Sequence, residues 1–167
     1  MRLICKMIML TFLIGFVACE RQDDDSSVAI YIDQLKSNSF EGSVLPPFSP
    51  SDIPALLVYR NSDLVIRDFP QNGISSLRVT ECRLGMYVLW TIESIRAVEI
   101  KSKYLTGRFP SQTPILALRN ATELDLVFDN KSHEDAAKAY NEWWYSSYSV
   151  KDKMNIDPLK NTDYRWH

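Results

Sequence analysis

From Met7 to Ala18 the chain is apolar apart from Thr11 and Gly15, and at Glu20 it turns abruptly acidic; beyond that, apolar residues recur in short, spaced groups. In VAIYIDQLK, Val28, Tyr31, Ile32 and Leu35 fall on one helical face, although the β-branched residues there keep a strand open. A proline-rich connector, SVLPPFSPSD, leads into IPALLVYR, where Ser49 or Ser51 can cap a helix and Pro50 suits its first position. Residues 61–80 are rich in turn formers and show no period, with LVIRDF readable as a short strand or an extended loop.

The longest periodic segment is ECRLGMYVLWTIESIRAVEIKSK, from Glu81 to Lys103. It contains no proline, Thr80 can cap it, and Leu84, Val88, Ile92 and Ile95 recur at helical spacing. Its first half is apolar all round, which predicts a helix inside the fold. In its second half Glu93, Arg96, Glu99 and Lys103 form one charged stripe. Those charges, and the shortness of the uncharged part, argue against a membrane span. PILALRNATELDLVF fits either two short helices or a strand pair. Ser132, with Asp135 three residues on, approximates a capping box that opens EDAAKAYNEWWYSSY, whose Ala136, Tyr140, Trp143 and Trp144 face the core. The tail, DPLKNTDYRWH, has too many turn residues for a helix but carries Leu159, Tyr164 and Trp166 to pin it. The expected fold is a single, mainly α domain over residues 27–167 with long loops held by aromatics; α+β with a small hairpin is the alternative.

The leader changes the picture of where this domain lives. Arg2 and Lys6 before the apolar run, and the small Ala18 after it, have the layout of a secretory signal over residues 1–18. The run is shorter than the ~20 residues a spanning helix needs. Val17 and Ala18 before a cysteine resemble the bacterial lipobox, with Phe16 in place of the usual Leu, which makes Cys19 the expected lipidated N-terminus of an acidic tether, residues 19–26. Several acyl chains on one cysteine anchor stably where a single chain is marginal. Glu20, Asp23, Asp24 and Asp25 resemble the acidic signal that sends lipoproteins of the Bacteroidetes to the outer surface of the outer membrane. A merely solvated tether is the simpler reading of the same residues.

Loss of the leader leaves roughly 150 residues, the length of one domain. It also removes Arg2 and Lys6, so the charge becomes two units more negative than the −2 of the whole chain. That balance speaks against nucleic acid as a partner. With Cys5 in the leader and Cys19 acylated, Cys82 stands alone and no intramolecular disulfide is expected.

Taken together, IPALLVYR, LGMYVLWTIESIR, GRFPSQTPILALRN, AAKAYNEWW and DPLKNTDYRWH, spread over most of residues 49–167, resemble a family of small Bacteroides lipoproteins classed only as a domain of unknown function. The resemblance implies an envelope address and brings no activity or catalytic residues with it.

Chemistry has few candidates, and no metal or other cofactor is expected. Cys82 with His133 would make a nucleophile and base, but a lone cysteine entering a buried helix is more often a packed thiol. The two histidines, His133 and His167, have no partner at zinc-site spacing, and none of the five glycines lies in a phosphate loop. Glu93 and Arg96 are the best polar pair: an acid or base if they face a pocket, otherwise a surface ion pair or a buried one that orients loops. Glu81 and Glu142 would have to supply a second carboxylate for glycoside hydrolysis. Among the aromatics, Trp143, Trp144 and Tyr148 crowd one helix, where adjacent tryptophans point about 100° apart; one of them, with Tyr164 and Trp166 of the tail, forms either an exposed platform for sugars or a partner, or a buried pin for the tail. Two functions follow: a non-enzymatic, lipid-anchored module that binds an envelope protein through an apolar patch, or a glycan-binding, less readily glycan-cleaving, lipoprotein with tryptophan and carboxylates in a groove.

Overall fold

The computed structural model describes residues 23–167, with side chains from Ser27 onwards. Its elements run α1 (Asp23–Lys36), a short 3-10 turn (Pro50–Asp52), α2 (Ile53–Leu57), β1 (Val65–Ile66), β2 (Cys82–Arg83), α3 (Leu84–Glu99), β3 (Leu116–Leu118), β4 (Leu126–Val127), α4 (Asn130–Trp144), α5 (Val150–Met154) and β5 (Tyr164–Trp166). The fold is therefore α+β, not mainly α: among the described residues helix accounts for 38%, and two small antiparallel sheets organise the loops between helices. Strands of two or three residues are too short to show alternation, so periodicity had nothing to detect. Of the two readings of PILALRNATELDLVF, the strand pair is the one found, with Leu116 opposite Val127 and Ala117 opposite Leu126. β5 comes from the tail and completes the sheet in the order β4-β3-β5, with Leu116 opposite Trp166. β1 pairs with β2 to make the other sheet.

Helix α3 is the axis of the core. Leu84, Val88, Ile92 and Ile95 are buried as their spacing predicts, and so are Tyr87, Leu89 and Trp90 on the remaining faces of its first half. The helix begins later than Glu81, because Cys82 and Arg83 extend into β2; its first amides are satisfied by the chain across that sheet, Leu84 N–H donating to Leu64 C=O at 2.8 Å and Gly85 N–H to Ser62 C=O at 2.9 Å. α1 is a helix despite its β-branched residues, and Val28, Tyr31, Ile32 and Leu35 all enter the core. α4 starts earlier than Ser132 suggests: Asp129 is the cap, its carboxylate accepting from Ser132 N–H at 2.8 Å. Before α2, Ser49 N–H donates to Asp52 Oδ2 at 2.7 Å across the 3-10 turn.

Long loops stay in place because polar atoms on α3 tether them. Tyr87 donates to Pro70 C=O at 2.8 Å, Trp90 Nε1 to Ser111 Oγ at 2.8 Å, and Ser94 Oγ to Arg108 C=O at 2.5 Å. Arg108 in turn holds the proline-rich connector through Pro46 C=O and Phe48 C=O. Thr91 donates to Tyr87 C=O at 2.9 Å, which leaves the Tyr31 hydroxyl as donor in its 2.9 Å bond to Thr91. Among the described residues, no helix is long and apolar enough to cross a membrane.

Candidate functional site

Of the charged stripe, Glu93 and Arg96 turn inward, while Glu99 is exposed and Lys103 lies beyond the end of α3. Arg96 makes a forked contact with Glu93, its Nε at 3.1 and 2.9 Å from the two carboxylate oxygens and its Nη2 at 2.5 Å from Oε1. Both side chains are largely enclosed, at 13% exposure for Arg96 and 9% for Glu93. Burial alone would lower the Arg96 pKa, but the Glu93 carboxylate outweighs it and holds the guanidinium above its ordinary value. The network then leaves the helix: Tyr140 of α4 donates to Glu93 Oε2 at 2.8 Å, Trp166 of β5 donates its Nε1 to the Tyr140 hydroxyl at 2.8 Å, and Arg96 Nη1 reaches Met154 C=O of α5 at 3.2 Å. The network thus ties α4, α5 and β5 to α3. The pair is buried and orients neighbouring elements, and it also lines a groove.

That network forms the floor of an open groove of about 680 Å3, whose lining includes Trp166, Asp157, Lys103, Tyr104, Arg165 and His167. Asp157 is paired with Arg119 at 3.1 Å. His167 lies against Thr113, with Nδ1 2.9 Å from the hydroxyl, and burial followed by the Arg165 charge lowers its pKa. Trp166 is half-buried and Tyr104 is 71% exposed.

The other predicted aromatics divide. Trp143 is buried and donates to Lys153 C=O at 2.8 Å; Trp144 is half-buried beneath the Lys153 ammonium, 5.2 Å from its ring centre. Tyr164 is buried, whereas Tyr148 is exposed on a separate groove of about 560 Å3 along α4, lined also by Trp143, Asp135, Glu142 and Asn161. The five do not make one platform. Asp23, Asp24 and Asp25 form the first turn of α1. Cys19 and Glu20 lie outside the described residues.

A further groove, about 590 Å3, opens between the two sheets. Cys82 and His133 both line it but do not act on one another: the thiol points to Arg83 C=O at 3.4 Å and Pro114 C=O at 3.9 Å, while His133 Nε2 lies 2.8 Å from Arg60 C=O and Nδ1 lies 3.5 Å from Asp63. Burial pushes the Cys82 thiol up to about 12, the opposite of what a nucleophile needs. The rim carries Val65, Leu77 and Phe128, exposed by 40%, 37% and 69%. Sequence reasoning missed these three, because an apolar residue in a turn-rich stretch reads as a loop anchor; Phe128 immediately before the capping Asp129 was the available signal. It also placed Tyr140 in the core by spacing without seeing that its hydroxyl joins Glu93 to Trp166. Among the described residues, no cluster of three His, Cys, Asp or Glu is arranged to hold a metal.

What these elements define is a single-helix-centred α+β domain with loops tethered to α3 and open grooves on separate faces. The chain belongs to a family described as a domain of unknown function, DUF4943, whose model matches residues 22–167. Comparison with curated proteins and with solved structures finds no match.

Proposed function

We propose that this protein is a lipid-anchored, non-enzymatic binding module of the cell envelope, held at the outer surface of the outer membrane through Cys19 and engaging another envelope protein through the groove between its sheets. The observation that carries the reading is the rim of that groove, where Val65, Leu77 and Phe128 remain exposed around one concavity. Large apolar side chains gathered at one place on a water-soluble surface mark an interaction site more often than scattered ones do. The groups best suited to chemistry support it too, since Glu93 is occupied by Arg96 and Tyr140 and the Cys82 thiol is held protonated. The anchor rests on the leader, the cysteine and the acidic run that follows it.

The test is photo-cross-linking on intact cells, with a tagged full-length chain carrying the photoreactive residue at position 128 or 77, and at 30 as control. Ile30 is 59% exposed on α1, away from the groove. One envelope protein captured from 128 and 77 but not from 30 is the expected result, along with release of the Cys19→Ser variant from the membrane fraction. Equal capture from all three positions, or none from the groove, would remove the protein-binding reading; a membrane-bound Cys19→Ser variant would remove the anchor.

A further inference from the structure

We propose that the groove beside Trp166 binds an acidic saccharide, one whose sugar rings carry carboxylates. This site is independent of the groove between the sheets, with which it shares no lining residue. Its floor is rigid, because the Glu93–Arg96 pair, Tyr140 and Trp166 hold one another in place. The Trp166 N–H, the one polar atom of that side chain, is already given to Tyr140, so the half-buried ring offers a ligand apolar surface. Tyr104, which is exposed, adds a second ring to the same groove, with the Lys103 ammonium 4.9 Å from its centre. Aromatic surface beside polar groups suits a sugar ring, which presents apolar C–H faces and hydroxyl edges.

Charge narrows the class further. Within this groove Glu93 is neutralised by Arg96, and Asp157 by Arg119. Lys103 and Arg165 make no ion pair with a carboxylate among the described residues, so two cations on this lining stay unpaired. An anionic ligand is favoured, and the strand edge favours sugar over peptide. A peptide adding to β5 would use the outward backbone groups of Tyr164 and Trp166, and three of these four are engaged: Tyr164 N–H donates to Thr162 Oγ1 at 3.2 Å, its C=O accepts from Arg119 Nη2 at 2.8 Å, and Trp166 C=O accepts from Arg165 Nη1 at 3.4 Å.

The experiment is calorimetric titration of the full chain with an oligogalacturonate, using dextran as the neutral control and poly-glutamate as the acidic-peptide control. Saturable binding to the uronate is expected, at least about tenfold tighter than to dextran and weakening as salt is raised. Arg165→Glu is expected to weaken it about tenfold or more and Tyr104→Ala about fivefold; both side chains are exposed, so the fold is retained. No binding at millimolar uronate, or an affinity indifferent to both substitutions, overturns the proposal. Poly-glutamate bound as tightly as the uronate overturns it as well and assigns the groove to acidic peptides.

Discussion

Replacing Tyr140 with Phe removes a single oxygen from the centre of the molecule and strands two partners. The hydroxyl donates to Glu93 Oε2 and accepts from Trp166 Nε1, both at 2.8 Å, and the Tyr140 side chain is fully buried. A neutral hydrogen bond lost with its partner left behind costs about 1 kcal/mol, and one to a charged group about 1.5–3 kcal/mol, so the sum is roughly 2.5–4 kcal/mol. The ring itself fits unchanged, so no cavity adds to that figure. For a domain of this size it corresponds to a fall in Tm of roughly 5–15 °C. Urea unfolding followed by tryptophan fluorescence measures the stability directly, and the Trp166→Phe variant closes a double-mutant cycle. Because the two substitutions remove the same indole–hydroxyl bond, their combined effect should fall short of additivity by about 1 kcal/mol. A loss below about 1 kcal/mol in Tyr140→Phe, with additive behaviour in the cycle, would show that the network does not hold β5 to the core.

Two other perturbations test different parts of the structure. Tyr31, Tyr87 and Tyr140 all have pKa values raised by burial above the ordinary 10.0, and Cys82 is raised from 9.0. Below pH 9 these groups are protonated in both states. Above it the unfolded chain loses protons that the folded chain keeps, so stability falls by about 1.4 kcal/mol per pH unit for each group, or about 5.5 kcal/mol per unit once Cys82 and the three tyrosines all contribute. Denaturation midpoints measured from pH 8 to 11 should therefore drop steeply past pH 10; the full absorbance of all eight tyrosinates, reached by pH 11 in a protein that stays folded, would contradict this. Gly85→Ala in the first turn of α3 should destabilise by roughly 2–4 kcal/mol, combining overpacking with loss of the contact between His133 and Arg60 C=O. A Cβ there would meet Arg60 O and His133 Nε2 at 2.5 Å each. Helix propensity alone predicts a gain of about 1 kcal/mol, so a melting temperature that rises would refute the steric account.

The parts of the fold that were legible in the sequence are those whose signal is local. The spacing of Leu84, Val88, Ile92 and Ile95 was enough to find the central helix, and the wholly apolar stretch before Glu93 was enough to bury it. The sheets were not legible in the same way. β5 owes its existence to partners about 50 residues earlier, and its three residues sit in a tail whose turn formers satisfy any local reading equally well. The charged stripe shows the same division: spacing could put Glu93 beside Arg96 but could not say which way the pair faced. That was decided by Tyr140 and Trp166, whose positions depend on how α4 and the tail pack. Capping failed for a smaller reason, since Asp129 and Ser132 are both good caps and the choice fell to where β4 delivers the chain.

The tethering of loops to α3 has a consequence for where function can reside. Tyr87, Trp90, Ser94 and Arg96 each direct a polar group to a loop or a neighbouring element, and a group held at 2.5–3.2 Å by a fixed partner is not free to meet a ligand. On the binding reading proposed above, contact with a partner or ligand therefore falls to side chains that the fold leaves at the surface. Those side chains separate by chemistry: apolar Val65, Leu77 and Phe128 around the groove between the sheets, cationic and aromatic Lys103, Arg165 and Tyr104 around the groove over Glu93. Met86 contributes to the first groove and Glu93 to the second from opposite halves of one continuous buried helix, so both sites stand on the same rigid support. A rigid support with a single arrangement couples two sites weakly, which is why loss of ligand at either groove leaves the other free to be judged on its own binding.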